Sequence, residues 1–288
     1  MLSISDRMQP STRNIVWQML AQSHRTIDRV DAQMLLQHTL GVNHAFLLTY
    51  PDHELTPCQA DQFQQLVMQR RNGMPVAYLT GKRAFYDLIF KVTKSVLIPR
   101  PETELLVELA LERIPSGRLC RILDLGTGSG AIAITIARHR PQSQVVAVDL
   151  SMDAISVASW NAWNLAIENV DFIKSHWFDE IPGEKFDLIV SNPPYVAEGD
   201  VHLQQGDLRF EPLIALSAGN NGLACIQHII SNAPRHLANH GWLLLEHGYD
   251  QSRECKKLFG EKDFSNICSY ADLAGIMRVS VGQYGGLV

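Results

Sequence analysis

Four consecutive residues, Asn192-Pro193-Pro194-Tyr195, place hydrogen-bond acceptors at the end of an apolar run. Asn192 has a side-chain carbonyl oxygen and Pro193 a backbone carbonyl, and both should lie outside a sheet because two prolines stop the strand. Two neighbouring acceptors suit a planar NH2 group, and Tyr195 adds an aromatic wall. The pattern predicts a site that holds an amide or amino nitrogen for alkylation. An ordinary Pro-Pro turn capped by Asn is the alternative.

A second group of residues predicts a nucleoside cofactor site. A glycine-rich turn with the sequence Asp124-Leu125-Gly126-Thr127-Gly128-Ser129-Gly130 follows an apolar run typical of a buried strand. The next such run ends at Asp149, about 20 residues later, where an acid commonly binds ribose hydroxyls. Trp177 follows the third run, where stacking on an adenine ring would be worth about 1 kcal/mol. A tryptophan buried in the core is the alternative for Trp177.

The spacing of the glycines favours S-adenosylmethionine over a dinucleotide. The turn reads G-x-G-x-G, whereas dinucleotide sites read G-x-G-x-x-G. The negative charge of Asp124 would oppose a pyrophosphate but suits the cationic sulfonium and ammonium groups of S-adenosylmethionine. Asp124 can also serve as a carboxylate that orders the loop, and the two roles are compatible.

These residues are positioned by alternating strands and helices. From Cys120 onwards, strands are predicted over residues 121–125, 145–149, 170–174, 186–190, 241–247, 264–270 and 275–281, and helices over 131–138, 152–163 and 223–237. This order predicts an α/β fold with a seven-stranded, mostly parallel sheet that has helices on both faces. Ligands bind such sheets at the carboxyl ends of the strands.

The chain ahead of this sheet divides into two parts. Residues 1–80 are predicted to form a small helical bundle, with Val30, Met34 and Leu35 at helical spacing and Thr56-Pro57 starting a helix. The bundle contains no catalytic constellation, so it is either a scaffold or a domain that recognises a substrate or partner. We favour recognition, because a small neutral bundle ahead of a complete catalytic fold needs a reason to be there. Residues 81–98 predict a β-hairpin linker, and residues 99–288 the catalytic domain.

Composition disfavours several classes of protein. The net charge is −5, and residues 1–80 hold six basic and six acidic side chains, so neither part has the basic excess of a domain that binds bare DNA or RNA. No apolar run approaches the roughly 20 residues of a membrane span, and the polar residues 1–10 are not a signal peptide. Five scattered cysteines without CxxC spacing predict a reduced, cytoplasmic protein, and the histidines lack the spacing of metal ligands, so no metal is expected.

With these motifs in place, the sequence resembles the release factor glutamine methyltransferases of the HemK type over nearly its whole length. Asn-Pro-Pro-Tyr alone is shared with adenine and cytosine amino-methyltransferases, so the resemblance depends on longer segments. They are Gly81-Lys82-Arg83, Leu97-Ile98-Pro99-Arg100-Pro101-Glu102-Thr103-Glu104, the loop from Asp124 to Gly130, Phe210-Glu211-Pro212 and Glu246-His247-Gly248.

The resemblance implies a Rossmann-like class I methyltransferase that uses S-adenosylmethionine. It implies methylation of the side-chain amide of the glutamine in the Gly-Gly-Gln motif of peptide chain release factors. The donor site would comprise residues 126–130, Asp149, Trp177 and Asn192, and the glutamine site residues 192–195. One position departs from the family, because His176 stands where an acid commonly precedes the tryptophan. A bond from that residue to the adenine amino group would need neutral histidine as the acceptor.

Three other functions stay open at this point. An adenine amino-methyltransferase would act on an exocyclic amine with the same two N–H donors, although the acidic net charge disfavours a nucleic-acid substrate. A ribosomal-protein glutamine methyltransferase would share the same motifs. A catalytically inactive binding module on the same fold is disfavoured by the intact glycine loop, Asp149 and Asn192.

Overall fold

The computed structural model of the 288-residue chain describes residues 14–219 and 221–285. Residues 1–10, for which no signal peptide is expected, lie outside the described part. The chain forms two compact units, Met1–Thr80 and Gly81–Val288.

The described residues of the first unit form five helices around an apolar core. They are α1 (Val16–Ser23), α2 (Arg29–Leu40), α3 (His44–Thr49), α4 (Pro57–Arg71) and α5 (Val76–Thr80). Thr56 begins α4 with a capping box that it shares with Gln59, and Gly41 ends α2 at φ 67°. The predicted apolar face of α2 is wrong at two positions, because Val30 is 60% exposed and Met34 43% exposed. The buried stripe consists of Ala32, Leu35 and Leu36.

The second unit begins with an antiparallel hairpin of β1 (Lys82–Phe85) and β2 (Leu88–Lys91). Phe85, Leu88 and Phe90 are buried in the same apolar cluster as residues of the central sheet. The hairpin therefore packs as part of the second unit.

A seven-stranded sheet with the order β5-β4-β3-β6-β7-β9-β8 forms the rest of this unit. Its strands are β3 (Arg121–Leu125), β4 (Gln144–Asp149), β5 (Val170–Lys174), β6 (Phe186–Ser191), β7 (Leu237–Glu246), β8 (Phe264–Ala271) and β9 (Met277–Tyr284). The helices are α6 (Glu104–Arg113), α7 (Ala131–His139), α8 (Met152–Asn164), α9 (Ala224–Asn232) and α10 (Ser252–Gly260). Strands β3 to β7 are parallel, and β9 is antiparallel to both of its neighbours. The predicted mostly parallel sheet is confirmed.

Successive residues of the central strands enter two different cores. Ile122 and Leu188 belong to the cluster on one face, whereas Leu123 and Ile189 belong to the cluster on the other. Side chains alternate across a strand, so β3 and β6 are covered on both faces, as their mainly apolar residues predict; within β3 the buried Asp124 is the exception.

Three predicted elements have the wrong bounds, and one of them is the strand expected over 241–247, which runs over Leu237–Glu246. The helix expected over 223–237 ends at Asn232, because Pro234 lies in a short 3-10 turn and β7 already starts at Leu237. The last strand begins at Met277 and ends at Tyr284, because Gly275 occupies a turn at φ 79°.

Candidate active site

The candidate active site lies at the point in the sheet where the strand order reverses. Strand β3 pairs with β4 on one side and with β6 on the other, so that Leu125 lies opposite both Val148 and Ser191. The segments that follow these three strands therefore leave the same edge of the sheet side by side. This is the position at which open α/β sheets bind their ligands.

Three glycines with positive φ shape the loop after β3. Gly126, Gly128 and Gly130 have φ of 74°, 56° and 82°. A Cβ on Gly128 would meet nothing within 4 Å, so the backbone there borders open space that a side chain would fill. A Cβ on Gly130 would lie 2.7 Å from Cδ1 of Ile134 in α7 and 3.2 Å from Cβ of Ala158 in α8, so this glycine permits the two helices to pack closely. The two glycines thus serve different purposes, one for access and one for packing.

The carboxyl of Asp149 holds the backbone around it. Oδ2 accepts the N–H of Gly128 at 2.9 Å, and Oδ1 accepts the N–H of Ser151 at 2.9 Å. Burial raises the pKa of Asp149, and the backbone N–H groups of Ser151 and Gly128 oppose that rise. Each oxygen keeps a second lone pair, so Asp149 can still accept two hydroxyl groups of a ligand.

Asp124 is completely buried beneath the same loop. Its Oδ2 accepts the hydroxyl of Thr127 at 2.7 Å, which is a loop-ordering contact. Its Oδ1 is a buried oxygen without a hydrogen-bond partner in the part of the chain that the structure describes. Burial raises the pKa of Asp124 to about 7, and the hydrogen bond from Thr127 opposes the rise. A cationic ligand nearby would offset the cost of ionising this group.

A cavity of about 230 Å³ opens between these segments. It is lined by the predicted site residues Gly126, Gly128, Asp149, Trp177, Asn192 and Pro194, together with Ser95, Val96, Leu97, Leu150, Ser151, Ala154, Ser175, His176, Ile214, Ala215, Ser217 and Cys225. A smaller adjoining cavity is lined by Thr127 and Ser129 and shares Asn192 with the first. Asp124, Gly130, Pro193 and Tyr195 line neither cavity.

Trp177 forms an aromatic wall of the larger cavity. Its backbone has φ 53°, which is uncommon for a residue other than glycine, and its ring packs on the core cluster that contains Leu125. His176 lines the cavity beside it, with the two ring centroids 6.2 Å apart. The His176 Nδ1 lies 3.4 Å from Oδ2 of Asp179.

Asn192 follows β6 directly and is oriented by its amide nitrogen. Nδ2 donates a hydrogen bond to Oγ1 of Thr103 at 3.1 Å. Among the described residues, neither Oδ1 of Asn192 nor the carbonyl of Pro193 accepts a hydrogen bond. The two oxygens that were predicted to hold an NH2 group are therefore unengaged.

Both the side chain and the backbone of Tyr195 form hydrogen bonds. Its hydroxyl donates to Oε1 of Glu246 at 3.3 Å, and its carbonyl accepts Nε2 of Gln251 at 3.0 Å. Burial and the neighbouring Glu246 carboxyl raise the pKa of Tyr195. The ring packs against the core on one face of the sheet, so the hydroxyl points away from solvent and into a buried polar cluster.

Sequence reasoning assigned no chemistry to two further groups at this site. Glu246 is 1% exposed, and burial raises its pKa to about 7. Glu211 is also buried, where its Oε2 accepts the N–H of Ile98 at 3.1 Å and its Oε1 pairs with Arg100. Both lie in segments that carried the family resemblance. Their partners are too distant in sequence for periodicity to connect them.

Comparisons with known proteins place the chain among methyltransferases. The model for the PrmC N-terminal domain matches residues 16–81, and the model for the methyltransferase small domain matches residues 102–208. Relatives named release factor glutamine methyltransferase are 46% identical over 256 residues in Escherichia coli (strain K12) and 47% identical over 268 residues in Vibrio cholerae serotype O1. The match to the Escherichia coli relative covers 89% of this chain and 92% of that protein. The match to the Vibrio cholerae relative covers 92% of this chain and 93% of that protein.

Solved structures show the same fold at low identity. A methyltransferase from Pyrococcus furiosus has a TM-score of 0.53 at 18% identity and covers 78% of this chain and 98% of its own. The METTL16 methyltransferase domain has a TM-score of 0.51 at 16% identity, and the match covers 68% of this chain and 88% of that domain's chain. These matches confirm the predicted fold class.

None of the helices in the described residues has the length and apolar character needed to cross a bilayer.

Proposed function

Because the chain belongs to the family of release factor glutamine methyltransferases, as its motifs predict, we propose that it methylates peptide chain release factors. The acceptor is the side-chain amide nitrogen of the glutamine in their Gly-Gly-Gln motif, and the donor is S-adenosylmethionine. The observation that carries the proposal is the orientation of Asn192. Its Nδ2 donates to Thr103, and in the part of the chain that the structure describes nothing donates to Oδ1 at the cavity.

The residues around the cavity fit the proposed donor. Asp149 supplies two oxygens with free lone pairs for ribose hydroxyls, and Trp177 supplies an apolar wall for the adenine ring. Asp124, which lies beneath the glycine loop rather than at the cavity surface, supplies a buried carboxyl whose Oδ1 has no hydrogen-bond partner among the described residues, and a negative charge there would favour a cationic ligand above the loop. Gly128 leaves room for close approach to the backbone. When bound, S-adenosylmethionine supplies an electrophilic methyl group on a sulfonium sulfur.

The acceptor nitrogen is a weak nucleophile, because its lone pair is delocalised into the amide carbonyl. Asn192 Oδ1 and the Pro193 carbonyl would accept its two N–H groups and fix its direction, while allowing the nitrogen to become pyramidal. The contribution of these residues is then positioning and electrostatic stabilisation of the charge that develops on nitrogen. After that charge has formed, the surplus proton is acidic enough to pass to solvent water, so no strong general base is needed. We call residues 192–195 the acceptor segment. Tyr195 stiffens this segment through its hydrogen bonds to Glu246 and Gln251.

The first unit is proposed to recognise the protein substrate in the cytoplasm, without direct contact with nucleic acid. Its charges balance at six basic and six acidic side chains, which does not favour a polyanion. Its surface carries exposed aromatic side chains suited to a protein partner, with Trp17 50% exposed and Tyr50 55% exposed. The model for the PrmC N-terminal domain matches this same part of the chain.

Mass spectrometry of release factor incubated with the enzyme and S-adenosylmethionine tests the function. We expect one added methyl group on the glutamine of the Gly-Gly-Gln peptide. Asn192→Ala should lower kcat by on the order of 10²–10³, as does the loss of one transition-state hydrogen-bond partner. Parallel reactions with DNA, RNA and ribosomal protein test the other acceptors. Methyl transfer to one of those, with release factor unmodified, would reject the proposal.

A further inference from the structure

A chain of polar contacts connects Asn192 to a buried carboxyl on the neighbouring strand. Asn192 Nδ2 donates to Thr103 Oγ1 at 3.1 Å, and the Thr103 side chain lies close enough to Glu246 to lower the pKa of that carboxyl. Tyr195 donates to Oε1 of the same carboxyl at 3.3 Å. Of the two ends of the acceptor segment, residues 192–195, Tyr195 is thus bonded directly to Glu246, and Asn192 is bonded to Thr103, whose side chain lies beside the same carboxyl.

The fold brings these residues together from distant parts of the chain. Strands β6 and β7 are parallel neighbours with Ser191 opposite Leu245, and Asn192 and Glu246 come next in this register. Thr103 ends the 3-10 turn that precedes α6 and is 5% exposed. Its side chain makes no capping bond to that helix. The hydroxyl is therefore available to the acceptor segment.

The contact with Asn192 assigns a direction to the Thr103 hydroxyl. Oγ1 accepts from the Asn192 amide, so the one hydroxyl proton is free to be donated. Glu246 presents Oε2, a buried oxygen that has no hydrogen-bond partner in the described residues. An ionised Glu246 would attract the Thr103 proton and so keep Oγ1 as the acceptor for Asn192.

We propose that Thr103 and Glu246 are positioning residues that hold the Asn192 amide with its oxygen towards the acceptor nitrogen. This inference rests on the proposed function, in which Asn192 Oδ1 binds the glutamine amide. Without Oγ1 of Thr103, the amide loses the contact that distinguishes its nitrogen from its oxygen. The two orientations of the Asn192 amide, which exchange Oδ1 and Nδ2, then become closer in energy. The orientation that turns Nδ2 towards the substrate cannot accept an N–H.

The surroundings of Glu246 give the proposal a pH dependence. The groups that face it are the hydroxyls of Thr103 and Tyr195 and the charges of Arg278 and Glu102. Burial raises its pKa to about 7, the hydroxyls and Arg278 oppose the rise, and Glu102 adds to it. A protonated Glu246 can donate to Thr103 Oγ1, and the Thr103 proton is then free to turn towards Asn192 and bond Oδ1, which favours the flipped amide. We therefore expect kcat to fall as the pH drops through about 7.

Thr103→Val tests the first residue, because valine keeps the shape and removes the hydroxyl. We expect kcat to fall about 3- to 10-fold, the range of one hydrogen bond, while KM for release factor changes less than about twofold. Thr103→Ser should restore kcat to within about twofold of wild type. The matched control is Thr135→Val, at a buried threonine in α7 that bonds its own helix at the Ala131 carbonyl. Wild-type kcat in Thr103→Val, or failure of Thr103→Ser to recover, would overturn the proposal.

A double-mutant cycle shows whether Thr103 acts through Asn192. In an Asn192→Ala background, Thr103→Val should change kcat by less than about twofold, because the group that it orients is gone. A loss of the same factor in both backgrounds would mean that Thr103 acts independently of Asn192 and would overturn the assignment. Thermal unfolding of each variant separates this effect from loss of folded protein.

Glu246→Gln tests the carboxyl through the pH profile of kcat. The variant should lack the acidic limb near pH 7 that we expect for the wild-type enzyme, in which burial raises the pKa of Glu246 to about 7. Glu112→Gln, at a side chain that is 69% exposed on α6, should keep it. An unchanged limb in Glu246→Gln would contradict the proposal. If the wild-type enzyme leaves the release factor glutamine unmodified, the proposed function fails; if it methylates that residue and the variants match it, only this inference fails.

Discussion

Asp149 Oδ2 accepts the backbone N–H of Gly128 at 2.9 Å, which ties the end of β4 to the middle of the glycine loop that follows β3. The residue proposed to hold the ribose therefore also fixes the loop that borders the cavity. Oδ1 of the same carboxyl accepts the N–H of Ser151, the residue that caps α8. One side chain thus couples the loop, the strand and the next helix.

Asp149→Ala should weaken binding of S-adenosylmethionine about 30-fold or more. The variant loses the acceptor for the ribose and also two charge-assisted bonds to backbone N–H groups, each of the kind worth about 1.5–3 kcal/mol. Titration calorimetry of the purified protein measures the affinity. Asp171→Ala, at an exposed carboxylate on β5, is the matched control and should leave the affinity unchanged. Equal affinities in the two variants would remove Asp149 from the donor site.

Trp177→Ala should weaken donor binding about 5- to 10-fold, because stacking on an aromatic ring contributes about 1 kcal/mol or more. Trp177→Phe should recover most of the loss, because it keeps an aromatic face at the cavity wall. The control is Trp163→Ala, at a tryptophan in α8 that is 77% exposed. Quenching of intrinsic fluorescence by the donor gives an independent signal. Unchanged affinity in Trp177→Ala would assign the ring to the core alone.

Much of the fold was predictable because it rests on local patterns. The mainly apolar segments 122–125 and 188–190 indicate strands covered on both faces, and the structure buries their apolar side chains in two clusters. The glycine loop and Asp149 were found from spacing alone, and the cavity between them follows from parallel strand order. Each of these signals lies within about 30 residues of sequence, which is the range of a βαβ unit.

The support of the acceptor segment was not predictable in the same way. The contact between Asn192 and Thr103 joins residues 89 positions apart, and that between Tyr195 and Glu246 joins residues 51 apart. No periodicity connects such pairs, because the register of β6 on β7 and the placement of the turn before α6 bring them together. Tyr195 illustrates the consequence, since the sequence suggested a ring facing the substrate and the structure bonds its hydroxyl to a buried carboxyl.

Asp124 should make the stability of the ligand-free protein depend on pH. Burial raises its pKa from 3.8 to about 7, so the folded protein holds that proton more tightly than the unfolded chain. Its contribution to the free energy of unfolding is complete below about pH 4 and is lost as the pH rises through about 7. Asp124→Asn removes this titration. The free energy of unfolding of the variant, relative to wild type, should therefore increase by about 2–3 kcal/mol between about pH 5 and pH 8.

Denaturant unfolding at several pH values measures this difference. Asp171→Asn, at an exposed carboxylate, should show no such trend. A constant difference between Asp124→Asn and wild type across that range would mean that Asp124 titrates normally in the folded protein. Saturating S-adenosylmethionine should reduce the trend, because a nearby cation favours the ionised carboxyl.

Gly222→Ala should distort the acceptor segment at its Tyr195 end. A Cβ at this position would lie 2.2 Å from the carbonyl oxygen of Tyr195 and 2.9 Å from Nε2 of Gln251, so the hydrogen bond between those two atoms must break or shift. Gly222 also has φ 70°, which by itself costs an alanine about 1 kcal/mol. Gly199→Ala separates the two effects, because its φ is 82° and its Cβ would meet nothing within 4 Å. We expect both variants to lose stability, but only Gly222→Ala to lower kcat on release factor, by about tenfold or more, because displacement of the acceptor segment misplaces the nitrogen that it holds. Equal kcat in the two variants would show that the position of Tyr195 does not matter to the reaction.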